Sequence, residues 1–493
     1  MRNVFCEIKK DFSLKFFFYF LLFSGIMWVL IPTSYYEALH YDPAETLMWG
    51  STFNLGNAKH PPMAGYMLYW FCSLFRFHNF SVFLLSQIVV TIGFVYIYRL
   101  SRCFFERPQS VMATLIITFY FLYNYETPKF NANVPHILFV PMMCYYFYKG
   151  ITENKLNQWL LLAVSGACAF LTKYYAGIFF LSFLAYMVYD KNTRLLFKSC
   201  KPYLAGGLFF LLISPHLYHL WQTDFSSFEY IAEGKIKQYS YFFQIFAILF
   251  SIAAPILCMS AAAVLTYCLT HKKLPGKIRC FANPAAAKYA GFIMGGQAAI
   301  LLLMALANQR LEMMWTFQLF LPAGILIMSV YPAEVDRKTI INFAVLVFAF
   351  ASVVMIVDLL HSNFSSSFRR HLNPDELRRT AEKYYYEQTG KREIPFITGD
   401  VWHTSILQKA YHYQVKAAPA HDKILLDTHR DIIRRHGALV ISARNEESAG
   451  YLKKNIGQSP DWTFVLFPYK AKYGKMKKHD FYFGIIKPEN YKK

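Results

Sequence analysis

Long apolar stretches alternate with short polar ones over the first 361 residues, and the pattern then reverses. Apolar runs fall at about 12–32, 80–100, 109–123, 135–149, 157–172, 175–190, 202–216, 240–270, 289–307, 317–332 and 339–360. An α-helix crosses a bilayer in roughly 17–25 residues, which is the length of most of these runs. In hydrocarbon only a helix or a closed barrel satisfies its own backbone, and a barrel would alternate over shorter segments. The pattern therefore predicts an α-helical polytopic membrane protein with about eleven to thirteen spans over residues 1–361. The N-terminus has basic residues and then a long apolar run without a small-residue cleavage site, which reads as a retained first span. Between the first two spans, residues 44–56 and 62–77 are amphipathic and are predicted as short helices lying in the membrane interface.

Residues 362–493 are polar and basic with periodic apolar positions, and they predict a separate α/β domain. Asn373-Pro374-Asp375-Glu376 has the order of a helix start. Strands are expected at Ile394–Ile397, Ala438–Ser442, Trp462–Pro468 and Phe481–Ile486, with Gly399-Asp400 as a turn. Helices are expected at about 402–412, 425–436 and 446–456.

Composition supports the membrane reading. The chain is 55% hydrophobic and 19% aromatic, with 48 Phe and 36 Tyr, residues suited to bilayer interfaces and tight helix packing. The net charge of +21 could point to nucleic acid, but no nucleic-acid motif is present. Much of the positive charge lies in short loops between apolar runs, the pattern that sets orientation. With the N-terminus inside, Arg99, Arg102, Arg107, Lys191, Arg194, Lys198, Lys201, Lys272, Lys273, Lys277, Arg279, Arg337 and Lys338 all fall inside. The outside loops are then 33–79, 124–134, 216–239, 308–316 and everything after 361, with Lys235 and Lys237 as exceptions. None of the nine cysteines follows Cys280 and none has metal-type spacing, so the tail must fold on its own core.

The polar residues that could carry chemistry collect in the outside loops. Asp42 and Glu45 stand at the mouth of the first span. Such acids are ordinary in a wetted loop, yet at a membrane edge ionisable groups are costly and often functional, and a carboxylate there can take a proton from an acceptor or orient one. Lys59-His60 precede Pro61-Pro62, which fixes the chain, and either basic group can counter a phosphate. In the second outside loop Glu126, Lys129, Asn131 and Asn133 are close together, and the last three alternate with smaller or apolar residues as if to face one side. Lys173-Tyr174, His216, Asp224 and Arg310 follow in later loops. Each is weak alone, and a snorkelling lysine or a polar turn explains any one of them. Their common side is the signal, because the inside loops hold mainly Lys and Arg.

Asp-x-x-Glu, Lys-His-Pro-Pro, Pro-Lys-Phe-Asn-Ala-Asn, Leu-Thr-Lys-Tyr-Tyr, Ser-Pro-His and Met-Trp, in this order, resemble bacterial glycosyltransferase family 39, the protein mannosyltransferase and aminoarabinose transferase superfamily. The resemblance covers nearly the whole chain. It implies the GT-C fold and transfer of a sugar, usually with inversion, from a polyprenyl-phosphate carrier to lipid A, lipopolysaccharide, another glycan or a protein. It also implies a multi-pass protein of the bacterial inner membrane, with its active site and C-terminal domain facing the periplasm. Asp42 matches the catalytic acid of the first loop and Glu45 the acid after it. Lys59 and His60 take the carrier-phosphate position, Lys129, Asn131 and Asn133 the second-loop motif, and Lys173 the next outer lysine. Glu126, Asn131, Asn133, Tyr174, His216, Asp224 and Arg310 are then expected to contact sugar or acceptor. The chain departs from the aminoarabinose transferases in having His60 directly before the proline pair, with Lys59 one earlier. Glu126 stands where they carry a second-loop acid.

On this reading the partners are a polyprenyl-phosphate-linked sugar, an anionic glycolipid or glycan acceptor and the bilayer, with no nucleic acid. No cofactor is required, and a divalent cation is open at Asp42. A protein O-glycosyltransferase of the same family and a transporter or flippase for lipid-linked sugars are the rival readings. The transporter would place ionisable groups or broken helices near the midplane, whereas here they crowd one edge.

Overall fold

The computed structural model describes residues 11–225, 227–228, 241–275, 283–306, 313–331, 334–364, 369–470 and 476–489. Cys6, Lys235, Lys237, Lys277, Arg279, Cys280 and Arg310 lie outside the described residues.

All eleven apolar runs are helical, and nine are single α-helices. Phe12–Tyr35, Asn79–Ser101, Lys201–Gln222, Pro284–Leu306, Arg337–Phe364 and the Ile245–His271 part of Tyr241–His271 are each long and apolar enough to cross a membrane. Val134–Glu153, Leu156–Thr172 and Ala176–Tyr189 complete the unbroken set. The other two runs are broken. Arg107–Leu115 passes into a 3₁₀ turn, Ile116–Phe119, and then the short helix Leu122–Tyr125. The run predicted at 317–332 is a 3₁₀ segment, Met313–Phe320, followed by Ala323–Ser329. Pro322 lacks the N–H that would continue the first into the second.

Aromatic residues fill the helix interfaces. The rings of Phe147 and Phe183 stack at 4.1 Å, and buried Tyr289 donates its hydroxyl to the Cys144 carbonyl at 2.6 Å. Basic loops gather at one end of the bundle, where Arg107 lies 3.7 Å from Asp11, Asn283 donates to the Phe104 carbonyl and Lys338 to that of Thr270. The seven described cysteines are free thiols.

The α/β region lies at the opposite end. Its sheet comprises β1 (Phe396–Gly399), β2 (Lys416–Pro419), β3 (Ala438–Ser442), β4 (Thr463–Lys470) and β5 (Met476–Ile486), in the order β2-β1-β3-β5-β4. β2, β1 and β3 are parallel, with Thr398 opposite Ala418 and Val440, and β5 and β4 add antiparallel. β1 and β3 are buried throughout, as parallel strands covered on both faces require. The sequence reading places β3 correctly and the other predicted strands to within a few residues. β2 is an addition. The helix expected at 425–436 is two, Lys423–Thr428 and Arg430–His436. Asn373 caps Pro374–Thr389 through bonds from the Asp375 and Glu376 N–H groups, as its sequence predicts.

The two parts share one apolar core. The cluster around Phe17 and Trp28 runs on through Leu372, Leu377, Tyr385, Ile397, Trp402 and Leu439. The first loop is where they join. Its helices are Tyr41–Gly50 and Met63–Ser73. They approach so closely that a Cβ on Gly50 would collide with the Gly65 backbone. The expectation that the first of them lies in the lipid interface is incorrect. Ala44, Leu47 and Met48 are fully enclosed, and Trp49 packs with Phe396, Ala418 and Val440 of the sheet. Burial against protein outweighs the amphipathic pattern there. Backbone links reinforce the joint: Glu37 and Ala38 N–H donate to the Arg370 carbonyl at 2.9 Å, and Trp402 Nε1 donates to that of Leu39 at 3.1 Å.

Candidate functional site

Most of the predicted site residues converge where this loop meets the bundle. Asp42 stands in the first turn of Tyr41–Gly50, half-buried, and accepts a hydrogen bond from Asn131 Nδ2 at 3.0 Å. Asn131 also accepts from the Asn133 N–H at 2.8 Å. Asn133 Oδ1 in turn accepts from Lys173 Nζ at 2.8 Å and from Gln318 Nε2 at 3.0 Å. A chain of polar contacts thus joins the first loop, the second loop, the end of Leu156–Thr172 and the Met313–Phe320 segment. Lys173 lies 5.9 Å from the Trp315 ring.

Two buried ion pairs flank this chain. Lys129 is 2.7 Å from Glu126 and lies 3.2 Å from the centre of the Tyr125 ring. Burial pushes the Glu126 carboxyl up, with Lys129 opposing. Lys59 is 2.5 Å from Glu45, and it also lies within 6 Å of the Tyr41 and Trp49 rings, at 5.6 and 5.7 Å. Burial pushes Glu45 up to about 7; Lys59 opposes the rise, while Asp42 and Asp422 add to it. A carboxyl poised there can gain or lose a proton at neutral pH, which suits acid–base work. Asp422, at the start of Lys423–Thr428, is itself pushed up to about 6 by burial. One lysine therefore serves two buried carboxyls.

Three buried polar atoms around the cluster have no hydrogen-bond partner among the described residues: Glu126 Oε2, Gln318 Oε1 and His40 Nδ1. Buried polar atoms are rarely left so. Burial and the nearby charges of Lys129 and Arg370 hold His40 well below its ordinary pKa.

The remaining predicted residues sit further out. His60 anchors the loop turn through its N–H to Asn57 Oδ1 and packs edge-on against Trp49. Tyr174 and His216 meet at 3.0 Å, and His216 Nδ1 lies 2.6 Å from the Leu55 carbonyl, so this pair braces the loop. Asp224 is exposed, with φ at +50°; its N–H donates to the Trp221 carbonyl at 3.3 Å, and its carboxylate makes no hydrogen bond or ion pair within the described residues. Nothing draws it into the cluster, because the turn after Lys201–Gln222 points it to solvent.

A cavity of about 750 Å³ adjoins the cluster. His40, Tyr41 and Lys59 form one wall, and Arg369, Asp400, Trp402, His421 and Arg444 are among those forming the other. The sequence reading named none of these C-terminal residues. The signal available was a strand followed by Gly399-Asp400 and then a helix. Gly399 has φ +137°, and a side chain there would strike the Ile441 backbone. Asp400 caps the Val401–Ala410 helix and holds His403 Nδ1 at 2.7 Å, and the Ala443 N–H donates to it at 2.7 Å. These partners hold its carboxyl well below the usual range despite burial. His403 Nε2 meets His479 Nε2 at 2.7 Å. Arg370 is paired with Asp358 at 3.0 Å, both buried, and Asp358 also accepts from the Tyr36 hydroxyl at 2.9 Å.

Residues 59–219 match the family model described as dolichyl-phosphate-mannose-protein mannosyltransferase. That segment holds Lys59, His60, Glu126, Lys129, Asn131, Asn133, Lys173, Tyr174 and His216. Among solved structures, ArnT from Cupriavidus metallidurans bound to undecaprenyl phosphate aligns with a TM-score of 0.65 at 10% identity, over 95% of this chain and 97% of that one. ArnT from the same organism in the apo state gives 0.59 at 10% identity, over 94% and 96%. No curated protein matches the sequence. The chain carries the GT-C fold over nearly its full length, with residues 59–219 resembling the dolichyl-phosphate-mannose-protein mannosyltransferases.

Proposed function

We propose that this protein is a membrane glycosyltransferase. It moves a sugar from a polyprenyl-phosphate carrier to an acceptor at the membrane face bearing the α/β region, the periplasmic face of a bacterial inner membrane. The observation that carries the reading is the hydrogen-bonded chain Asp42–Asn131–Asn133–Lys173, with the buried Lys129 and Lys59 pairs beside it. Lysines held in a poorly solvated cluster stabilise charge developing on a phosphate leaving group far better than lysines in water. Undecaprenyl phosphate in the ArnT structure supports a carrier of that class.

The carrier tail lies in the bilayer and its phosphate reaches Lys173 and Lys129. Arrival of the phosphate gives Lys129 and Lys59 an anion in addition to Glu126 and Glu45. Asp42 removes the proton when the acceptor is a hydroxyl, with Asn131 holding the carboxylate in place. When the acceptor is already anionic, Asp42 orients it. A divalent cation at the cluster would find in Asp42 a carboxylate held by an amide, Asn131, rather than by a lysine. Among the described residues no group of three or more His, Cys, Asp or Glu side chains converges to hold a metal ion. The acceptor is a lipid A or lipopolysaccharide glycolipid rather than a protein, a choice favoured by the basic residues around the adjoining cavity.

The test is transfer by the purified chain from a radiolabelled polyprenyl-phosphate sugar to extracted glycolipid. Asp42→Asn should lower transfer by about 10²–10⁴-fold, the usual worth of a general base, and leave the melting profile unchanged. Full activity in that variant rules out the assignment, and carrier movement across vesicles without transfer supports the flippase instead.

A further inference from the structure

We propose that the carboxyl edge of the α/β sheet is a binding site for an anionic saccharide, so that this region supplies half of the acceptor pocket. This rests on the transferase reading.

The sheet topology points to the place independently of the cavity. The chain leaves β1 for β2 on one side, then crosses back to place β3 on the other. Open α/β sheets bind ligands in the crevice at the carboxyl ends of strands that diverge in this way. The cavity lies there. Its C-terminal wall is made by the segments that follow the parallel strands: Gly399-Asp400 after β1, Ala420-His421 after β2, and Ala443-Arg444 after β3.

The chemistry selects the ligand. Nucleotide sites of this topology place a phosphate on the helix start after the first strand. Here the Asp400 carboxylate occupies that helix start and repels one. The same carboxylate, fixed by His403 and the Ala443 N–H, has 21% of its side-chain surface exposed and lines the cavity, ready to accept from sugar hydroxyls. Tyr451, which lines the cavity and is exposed, offers a ring to a pyranose. Arg369 lies against Trp402, its guanidinium 5.6 Å from the ring centre. Among the described residues the Arg444 guanidinium is held by a solvent-exposed pair with Glu447 at 3.3 Å, which a ligand displaces at little cost. Both guanidiniums are suited to a phosphate or carboxylate on the saccharide. The volume of about 750 Å³ is within the usual range for small-ligand sites. On the facing wall stand His40, Tyr41 and Lys59, and Lys59 is paired with Glu45 of the cluster, so the cavity opens onto the polar site.

The experiment uses the full chain in lipid nanodiscs. Probes are a soluble β-linked glucosamine disaccharide carrying two phosphates, its acylated form, its phosphate-free form, ATP and undecaprenyl phosphate, followed by tryptophan fluorescence. The bisphosphorylated disaccharide is expected to bind at least tenfold more tightly than the phosphate-free sugar and than ATP. The double variant R369S/R444S should lose at least tenfold in that affinity, and Ser448→Trp, which narrows the cavity without removing charge, should lose at least tenfold as well. Both variants should bind undecaprenyl phosphate as the parent does. Unchanged disaccharide binding in both variants overturns the site. Tighter binding of ATP, or binding of the acylated form alone, also overturns it. If the disaccharide binds as expected and undecaprenyl phosphate does not, the transferase reading fails and the saccharide site stands.

Discussion

The Glu45–Lys59 pair offers a quantitative test of the electrostatics. Glu45 is 5% exposed, and burial lifts its carboxyl from an ordinary 4.5 to about 7 even with Lys59 at 2.5 Å. The folded state therefore holds a proton that the unfolded chain has released. Stability falls as pH rises from about 4.5 to 7 and is level above that. At 1.36 kcal/mol per pKa unit, the cost of ionised Glu45 is roughly 3 kcal/mol at pH 8. Glu45→Gln removes this dependence. The unfolding free energy of the parent, from denaturant titration followed by tryptophan fluorescence, should lose roughly 3 kcal/mol relative to Glu45→Gln between pH 4.5 and pH 8. Lys59→Met removes the opposing charge and drives the carboxyl higher, so its penalty should be about 3–5 kcal/mol at pH 8 and far smaller at pH 4.5, where Glu45 is protonated. The double variant should recover most of the loss. Parallel pH profiles for parent and Glu45→Gln, or a Lys59→Met penalty independent of pH, would refute the argument.

Other outcomes follow from the same geometry. Lys173→Ala should raise the KM for the polyprenyl-phosphate donor about tenfold, the worth of one charged hydrogen bond, with a smaller change in the KM for the acceptor; steady-state kinetics with each substrate varied reads both. Arg370→Met leaves Asp358 buried with only Tyr36, and should cost about 3–5 kcal/mol in the same denaturant titration. Asp400 is held below the ordinary carboxylate range, so it contributes stability above about pH 4 that is lost on acidification; Asp400→Asn should flatten that acid limb of the unfolding profile and lower stability at neutral pH.

The sequence showed the helices wherever an apolar run was long and uninterrupted, because length and hydrophobicity alone decide a span. It misread 109–123 and 317–332 as single spans. Helix propensity does not show that Ile116–Phe119 tightens into a 3₁₀ turn once neighbours enclose it. β2 was missed since Lys416–Pro419 contains two alanines and a proline, and only pairing with β1 makes it a strand. Asp42, Lys129, Asn131, Asn133 and Lys173 were legible by their shared side of the membrane. Gln318 was not, since it falls in an apolar run and its role comes from meeting Asn133 across 185 positions of sequence. Arg369, Asp400, His421 and Arg444 stayed hidden for the same reason: the cavity they line with Lys59 exists only in three dimensions.

Strand order also sets when the protein becomes competent. β5 lies between β3 and β4, although it is the last of the five strands to be synthesised. Until residues 476–486 leave the ribosome, β3 has an unpaired edge, His403 lacks His479, and the cavity wall has no fixed backing. Lys59, Lys129 and Lys173 all lie in the first half of the chain and are synthesised well before that. A nascent or truncated chain thus carries these lysines but no finished cavity wall.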